Sequence, residues 1–202
     1  MRVLVTAGPT REYLDDVRFL SNPSTGKMGF ACASAAADAG HEVTLVTGPV
    51  ALADPPGVRT VRVVSADDMF RAVRKVYPGV DAVIMTAAVG DYRPARRAVG
   101  KLKKAATPLT ITLVRTRDIL EALGARKGRR ILIGFALEVQ DPVHRAKEKA
   151  LRKNLDYIVL NSPRTFGSDR MDCSIYREGQ LLRRFRGATK ESVAAWIAGL
   201  LG

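Results

Sequence analysis

The chain opens with Arg2-Val3-Leu4-Val5-Thr6, a short apolar run without polar alternation. Such a run suits a strand buried on both faces, the condition of a parallel sheet covered by helices. The pattern recurs: Glu42 to Thr47, Val58 to Val64 and Asp81 to Ala87 read as further strands. Between them, Thr25 to Ala39 reads as a helix that Gly40 ends. Ser65 with Asp68 resembles a capping box ahead of a helix over Ala66 to Val76. The order β-α-β-β-α-β predicts an α/β fold, a Rossmann-like doubly wound and mainly parallel sheet.

The second half is less regular. Val89 to Ala106 holds glycines, prolines and basic residues and reads as a functional loop. Leu109 to Val114 alternates like a strand, Thr116 is placed to cap a short helix over Arg117 to Leu123, and Arg130 to Phe135 reads as a strand. Asp141-Pro142 sets a cap residue before a first-turn proline, so a helix is expected from there to about Lys153. Asp156 to Leu160 is a strand. Cys173 to Arg177 and Gln180 to Phe185 flank Glu178-Gly179 as a C-terminal β-hairpin extension. An amphipathic helix, Thr189 to Leu201, follows. No linker, repeat or low-complexity segment divides the 202 residues, so a single domain over 1–202 is expected.

Net charge is +13, with 33 lysines and arginines against 20 acids, which implies polyanionic partners without choosing between nucleic acid and a nucleotide triphosphate. An arginine-rich background accounts for scattered residues such as Arg59 and Arg183. Aromatics are only 6%, which counts against base stacking and hence against a nucleic-acid binder. No apolar run approaches membrane-spanning length. Met1 to Val5 lacks the charged start and apolar core of a signal peptide, so a cytoplasmic location is the expectation. Cys32 and Cys173 have no CxxC neighbour and read as buried small hydrophobes. His41 and His144 have no partner visible in the sequence.

Four segments carry chemistry. Ser21-Asn22-Pro23-Ser24-Thr25-Gly26-Lys27-Met28-Gly29-Phe30 joins a polar loop to a helix start, where free N–H groups and partial positive charge make an anion site. It fails Walker A, because Ser21 stands where the first glycine belongs and Met28 follows Gly26-Lys27. Ala7-Gly8-Pro9-Thr10-Arg11 fails the dinucleotide fingerprint, which weakens the alternative of an NAD(P)-dependent oxidoreductase. Ala87-Ala88-Val89-Gly90-Asp91-Tyr92 lies past the end of a buried strand, where ligands sit in open α/β sheets. Asp91 there suits a ribose hydroxyl, a metal or a plain turn. Lys101-Leu102-Lys103-Lys104, with Arg93, Arg96 and Arg97, makes a dense cationic loop suited to phosphates. Arg145, Lys149 and Lys153 repeat every fourth residue on one helix face, and Val143, Ala146 and Ala150 are expected to make its core face.

These segments, in this order and spacing, resemble phosphopantothenoylcysteine synthetase, a ligase of coenzyme A biosynthesis. The first resembles its S-N-x-S-[ST]-G-K-M-G motif, the second its A-A-V-[AS]-D-[YF], and the third its K-[IL]-K-[KS] loop. Arg145 to Asp156 resembles its A-x-x-K-x-x-x-K-x-x-D segment. The resemblance implies a cytoplasmic homodimer with sites near the subunit interface. It implies CTP as co-substrate with Mg2+, and 4'-phosphopantothenate and L-cysteine as substrates, with no membrane or nucleic-acid partner. By the same resemblance, Asn22 and Lys101 are catalytic. Asn22 binds the reacting acyl group and Lys101 promotes the acyl-cytidylate step. Gly8, Asp91, Lys101, Arg117, Asp118, Ile119, Leu120, Phe135, Lys149 and Lys153 contact the nucleotide. Asn22, Ser24, Thr25, Gly26, Lys27 and Ala88 contact the acyl substrate. Arg117 departs from the family's usual proline, Gly90 from alanine or serine, Val139 from threonine, and Asn161-Ser162 from Asn-Asp. In many bacteria the synthetase is fused behind a flavin-dependent decarboxylase, so both a stand-alone enzyme and half of a longer protein stay open.

Overall fold

The computed structural model describes residues 1–104, 107–162 and 168–202. The apolar runs form the strands expected of them: β1 (Arg2–Ala7), β4 (Glu42–Thr47), β5 (Arg59–Arg62), β6 (Ala82–Met85), β9 (Ile131–Leu137) and β10 (Tyr157–Asn161). All six pair in parallel, in the spatial order β5-β4-β1-β6-β9-β10. Numbered by appearance among themselves, they run 3-2-1-4-5-6, the doubly wound order. The direction of winding reverses between β1 and β6, so a crevice opens there beyond the strand ends. Two antiparallel strands, β11 (Arg170–Arg177) and β12 (Gln180–Thr189), extend the sheet past β10 as the expected hairpin. Its turn is Glu178-Gly179, both with positive φ, the backbone a tight two-residue hairpin requires.

The strands alternate between two apolar layers. Val3, Val5, Ile133, Val159 and Ile175 pack against α1 (Lys27–Asp38) and α5 (Lys190–Ala198). Leu4, Val46, Val83 and Leu132 pack against α2 (Ala66–Val76) and α3 (Ile119–Gly124) on the other face. α4 (Pro142–Arg152) joins that second face through Ala146, against Ile158 and Leu160 of β10. Gly29 explains one glycine of the polar motif: a Cβ there would lie 2.5 Å from the Ala7 Cβ and from Thr86 Oγ1, so only glycine lets α1 approach β1 this closely.

The Ser65–Asp68 capping box forms in both directions. Four local expectations are corrected. The cap of α3 is Asp118, which accepts from the Glu121 N–H, because the Thr116 hydroxyl is drawn to the Gly90 carbonyl at 2.6 Å. Asp141 stands at the start of α4 but in left-handed backbone (φ 44°) with no side-chain cap bond. Within 109–114 only Leu113 and Val114 are extended in a strand, as part of β8 (Leu113–Arg115). On α4, Val143 is exposed rather than core.

Two short antiparallel ribbons are not legible in the sequence. β2 (Arg11–Tyr13) pairs with β3 (Phe19–Ser21), and β7 (Tyr92–Pro94) pairs with β8. β2 and β7 lie against each other, so the ribbons form one arm beside the crevice. Glu12 anchors the arm: its buried carboxylate accepts from the Ala66 N–H at the start of α2.

Candidate active site

The crevice at the β1–β6 reversal opens into a cavity of about 840 Å³. Its floor is the strand ends. The Ala88 N–H donates to the Gly8 carbonyl at 2.9 Å, bridging the tails of β6 and β1. Gly90 donates to the hydroxyl of buried Thr10, and Thr116 N–H to the Asp91 carbonyl, so the 88–91 turn is held from both sides.

Asn22, Ser24, Thr25, Gly26 and Lys27 form one wall. Asn22 Nδ2 donates to the Ala88 carbonyl at 3.0 Å, joining the first two motifs. Gly26 (φ 78°) precedes α1 without a side-chain cap, so the helix start presents unpaired N–H groups. Lys27 pairs with Asp169 at 2.5 Å.

The opposite wall comes from β9, α3 and α4. Asp91, Arg117, Asp118, Ile119, Leu120, Phe135, Lys149 and Lys153 all line the cavity. Lys153, 8% exposed, pairs with Asp118 at 2.6 Å. Burial opposes ionisation of Asp118, but the Lys153 contact and the Glu121 N–H more than offset this and hold its carboxyl below the usual range. Lys149 donates to the Phe135 carbonyl at 2.8 Å. Burial first, and the Lys153 charge second, lower the Lys149 pKa from the ordinary lysine value. The like charges on α4 are thus separated by different acceptors. Arg145, the third of that series, turns to Glu138 at 3.9 Å and does not line the cavity. The Arg117 guanidinium stacks 5.0 Å from the Phe70 ring centroid, so its positive charge is partly engaged by α2.

Two of the assigned residues lie outside the lining. Gly8 is in the floor beneath it. Lys101 is exposed on the 95–104 loop, whose last expected residues, Ala105 and Ala106, fall outside the described residues. The loop is tied to the β2–β3 turn. Buried Asp15 accepts from the Val17, Arg18 and Leu102 N–H groups and from the Arg18 guanidinium. Asp16 accepts from the Gly100 N–H and pairs with Arg97. The Arg18 guanidinium beside Asp15 holds its carboxyl well below the usual carboxylate range.

Arg115, Arg152 and Lys190 also line the cavity and carry no signal in the sequence, and Asn161, of the Asn161-Ser162 pair, joins them there. Asn161 ends β10 and Lys190 begins α5, positions that only the sheet order brings to the crevice. No cluster of three or more His, Cys, Asp or Glu able to hold a metal occurs among the described residues. No helix among them is long and apolar enough to cross a membrane.

Residues 1–201 match the family described as the DNA/pantothenate metabolism flavoprotein C-terminal domain. The chain belongs to this family. The coenzyme A biosynthesis bifunctional protein CoaBC of Bacillus subtilis is 49% identical over 167 residues, covering 82% of this chain and 41% of that protein. The protein of the same name from Vibrio cholerae is 45% identical over 187 residues, 89% of this chain and 47% of its own length. The chain therefore spans about half the length of the curated relatives it matches. The crystal structure of the C-terminal domain of a coenzyme A biosynthesis bifunctional protein CoaBC superposes with a TM-score of 0.86 at 43% identity, over 99% of this chain and 93% of that one. The chain thus shares its doubly wound sheet with that domain, and in this chain the crevice is walled by the motif before α1 and the lysines of α4.

Proposed function

We propose that this domain is a CTP-dependent phosphopantothenate–cysteine ligase. The observation that carries the reading is the cavity itself. It brings an uncapped helix start, a carboxamide and three cationic side chains of α4 around the end of β6. This equipment positions groups and neutralises phosphate charge, which is most of what a protein contributes to phosphoryl and nucleotidyl transfer.

A free carboxylate is a poor acyl donor, so the acid needs activation before an amine can attack it. In the proposed first step a carboxylate oxygen of 4'-phosphopantothenate bonds to the α-phosphorus of CTP, and the bond to pyrophosphate breaks. In the second, the amine of L-cysteine bonds to the acyl carbon, the bond to CMP breaks, and a proton leaves the nitrogen. In this scheme the second N–H of the Asn22 amide donates to the acyl oxygen as negative charge develops there. Lys149 and Lys153 face the nucleotide from α4, and the backbone of 117–120 and Phe135 border it. Mg2+ neutralises phosphate charge when bound. Asp91 would serve as a protein ligand, since it lines the cavity and has no ion-pair partner among the described residues.

Lys101 enters this scheme from a second copy of the chain. Its loop is clamped by Asp15 and Asp16, which disfavours a swing into its own cavity. The adjoining arm exposes Tyr92, Leu113, Val114, Phe19 and Leu20, and Val99 is fully exposed beside it, an apolar patch suited to a symmetric dimer contact.

The test is direct. The protein, 4'-phosphopantothenate, cysteine, Mg2+ and CTP are combined, and pyrophosphate and CMP are followed together. Stoichiometric release of both is expected. No release with CTP, and none with ATP, overturns the proposal.

A further inference from the structure

Arg117 brings a guanidinium into the cavity at the position where the family's motif usually has proline, a side chain without a donor. α2 holds it in place: the guanidinium carbon lies over the Phe70 ring, 5.0 Å from its centroid. Lys27, Lys149 and Lys153 each meet a protein oxygen. Arg117 does not. No backbone or side-chain acceptor takes its N–H groups, and no carboxylate pairs with it, among the described residues. A planar fork of donors is thus fastened through a ring contact and left open to whatever enters the cavity.

Its surroundings favour a flat, uncharged ring over a phosphate. Val89 and Leu120 line the cavity and belong with Phe70 to the apolar layer between the sheet, α2 and α3. α3 also adds the acids Asp118 and Glu121 to the lining. Lys153 pairs with Asp118, but no cation pairs with the Glu121 carboxylate among the described residues. A polyanion is repelled by that carboxylate and is better placed by the lysines of α4, whereas a heterocycle is not repelled.

We infer that Arg117 is a specificity-determining residue that reads the nucleobase, donating two N–H groups of its fork to two adjacent acceptors on the base edge. Resting on the proposed ligase reading, that base is cytosine. Cytosine presents O2 and N3 side by side as acceptors. Uracil carries a hydrogen on N3, and adenine sets its amino group beside N1, so each meets the fork with one acceptor and one opposing donor. Phe70 is a positioning residue that acts through Arg117. The side chain adds base selectivity that a proline at this position has no means to supply.

Arg117 is exposed, so substituting it spares the core. The full chain is titrated calorimetrically with CMP, UMP, AMP and inorganic tripolyphosphate. The unsubstituted protein is expected to bind CMP most tightly of the three nucleotides. Arg117→Ala is expected to weaken CMP about tenfold and to leave UMP, AMP and tripolyphosphate within about twofold. Arg117→Lys keeps the charge but loses the fork, and is expected to match Arg117→Ala. Phe70→Leu is expected to lower the preference for CMP without changing tripolyphosphate affinity. Equal weakening of all four ligands would make Arg117 a phosphate contact and overturn the inference. Unchanged CMP affinity, or a protein that binds none of the nucleotides, overturns it too. In the ligase assay, the ratio of kcat/KM for CTP to that for ATP is expected to fall about tenfold in Arg117→Ala. An unchanged ratio in an active variant overturns the base contact alone. Selective CMP binding that depends on Arg117, in a protein with no turnover, overturns the ligase reading alone.

Discussion

The amide of Asn22 and the carbonyl of Ala88 meet at 3.0 Å, a contact across 66 positions that fastens the loop before α1 to the tail of β6. The carbonyl fixes which way the amide faces, because only a donor satisfies it. Asn22→Asp removes that donor and sets a carboxylate against a carbonyl. Conversion of the acyl-cytidylate to product is expected to slow by about a hundredfold or more, with CTP affinity little changed. Rapid quench of the intermediate against equilibrium CTP binding checks this. Loss of CTP affinity alone would remove the acyl-binding role of Asn22.

The lowered pKa of Lys149 has a consequence with a definite sign. The charged ammonium grips phosphate, and burial lets it lose its proton more readily than an ordinary lysine. The kcat/KM for CTP is expected to decline on the alkaline side, beginning below the ordinary lysine value of ~10.4. Lys149→Met is expected to lower kcat/KM by roughly tenfold to a hundredfold and to remove that alkaline limb. A pH profile of both proteins is the measurement.

Asp15 gives a second pH dependence, of opposite direction. Its carboxyl is depressed in the folded state, so its contribution is full above the unfolded carboxylate pKa of ~3.9 and is lost as pH falls below it. Asp15→Asn is expected to lower the melting temperature near neutrality and to flatten the acid loss of stability. Because Asp15 also holds the Leu102 N–H, formation of the acyl-cytidylate is expected to slow by roughly tenfold to a hundredfold from displacement of Lys101. Melting curves between acid and neutral pH, with a pyrophosphate-release burst, separate the two effects.

If Lys101 serves the partner's cavity, two inactive variants complement each other. Lys101→Gln and Asn22→Asp are each expected to be impaired alone. Mixed and allowed to exchange subunits, they give hybrid dimers with one intact site, and roughly a quarter of wild-type activity is expected to return. Leu113→Asp, on the exposed arm, is expected to shift sedimentation to the monomer and abolish the recovery. No recovery from exchanged mixtures would place Lys101 in the site of its own chain.

Much of the sheet was written locally. Val3 to Thr6 and Ala82 to Met85 are apolar without alternation, so the strands could be read as buried on both faces before any contact was known. The Ser65–Asp68 box and the Glu178-Gly179 turn are likewise short-range devices, complete within a few residues. The failures share a cause. Thr116 has the chemistry of a cap, but a carbonyl from residue 90 wins its hydroxyl. The β2–β3 and β7–β8 ribbons have three residues per strand, too few for a period to register. Arg145 shares a helical row with Lys149 and Lys153, yet Glu138 turns it away from the cavity.

The sequence by itself determined the alternation of strands and helices, the polar segment before α1 and the lysines of α4. Each depends on neighbours within a few positions, through periodicity, capping and turn geometry. Only the tertiary structure decided which distant groups share a cavity. Lys190 looks like any lysine at a helix start. It becomes part of the crevice lining because α5 packs beside α1 and buries most of it, and burial is a property of the assembled sheet rather than of the residue.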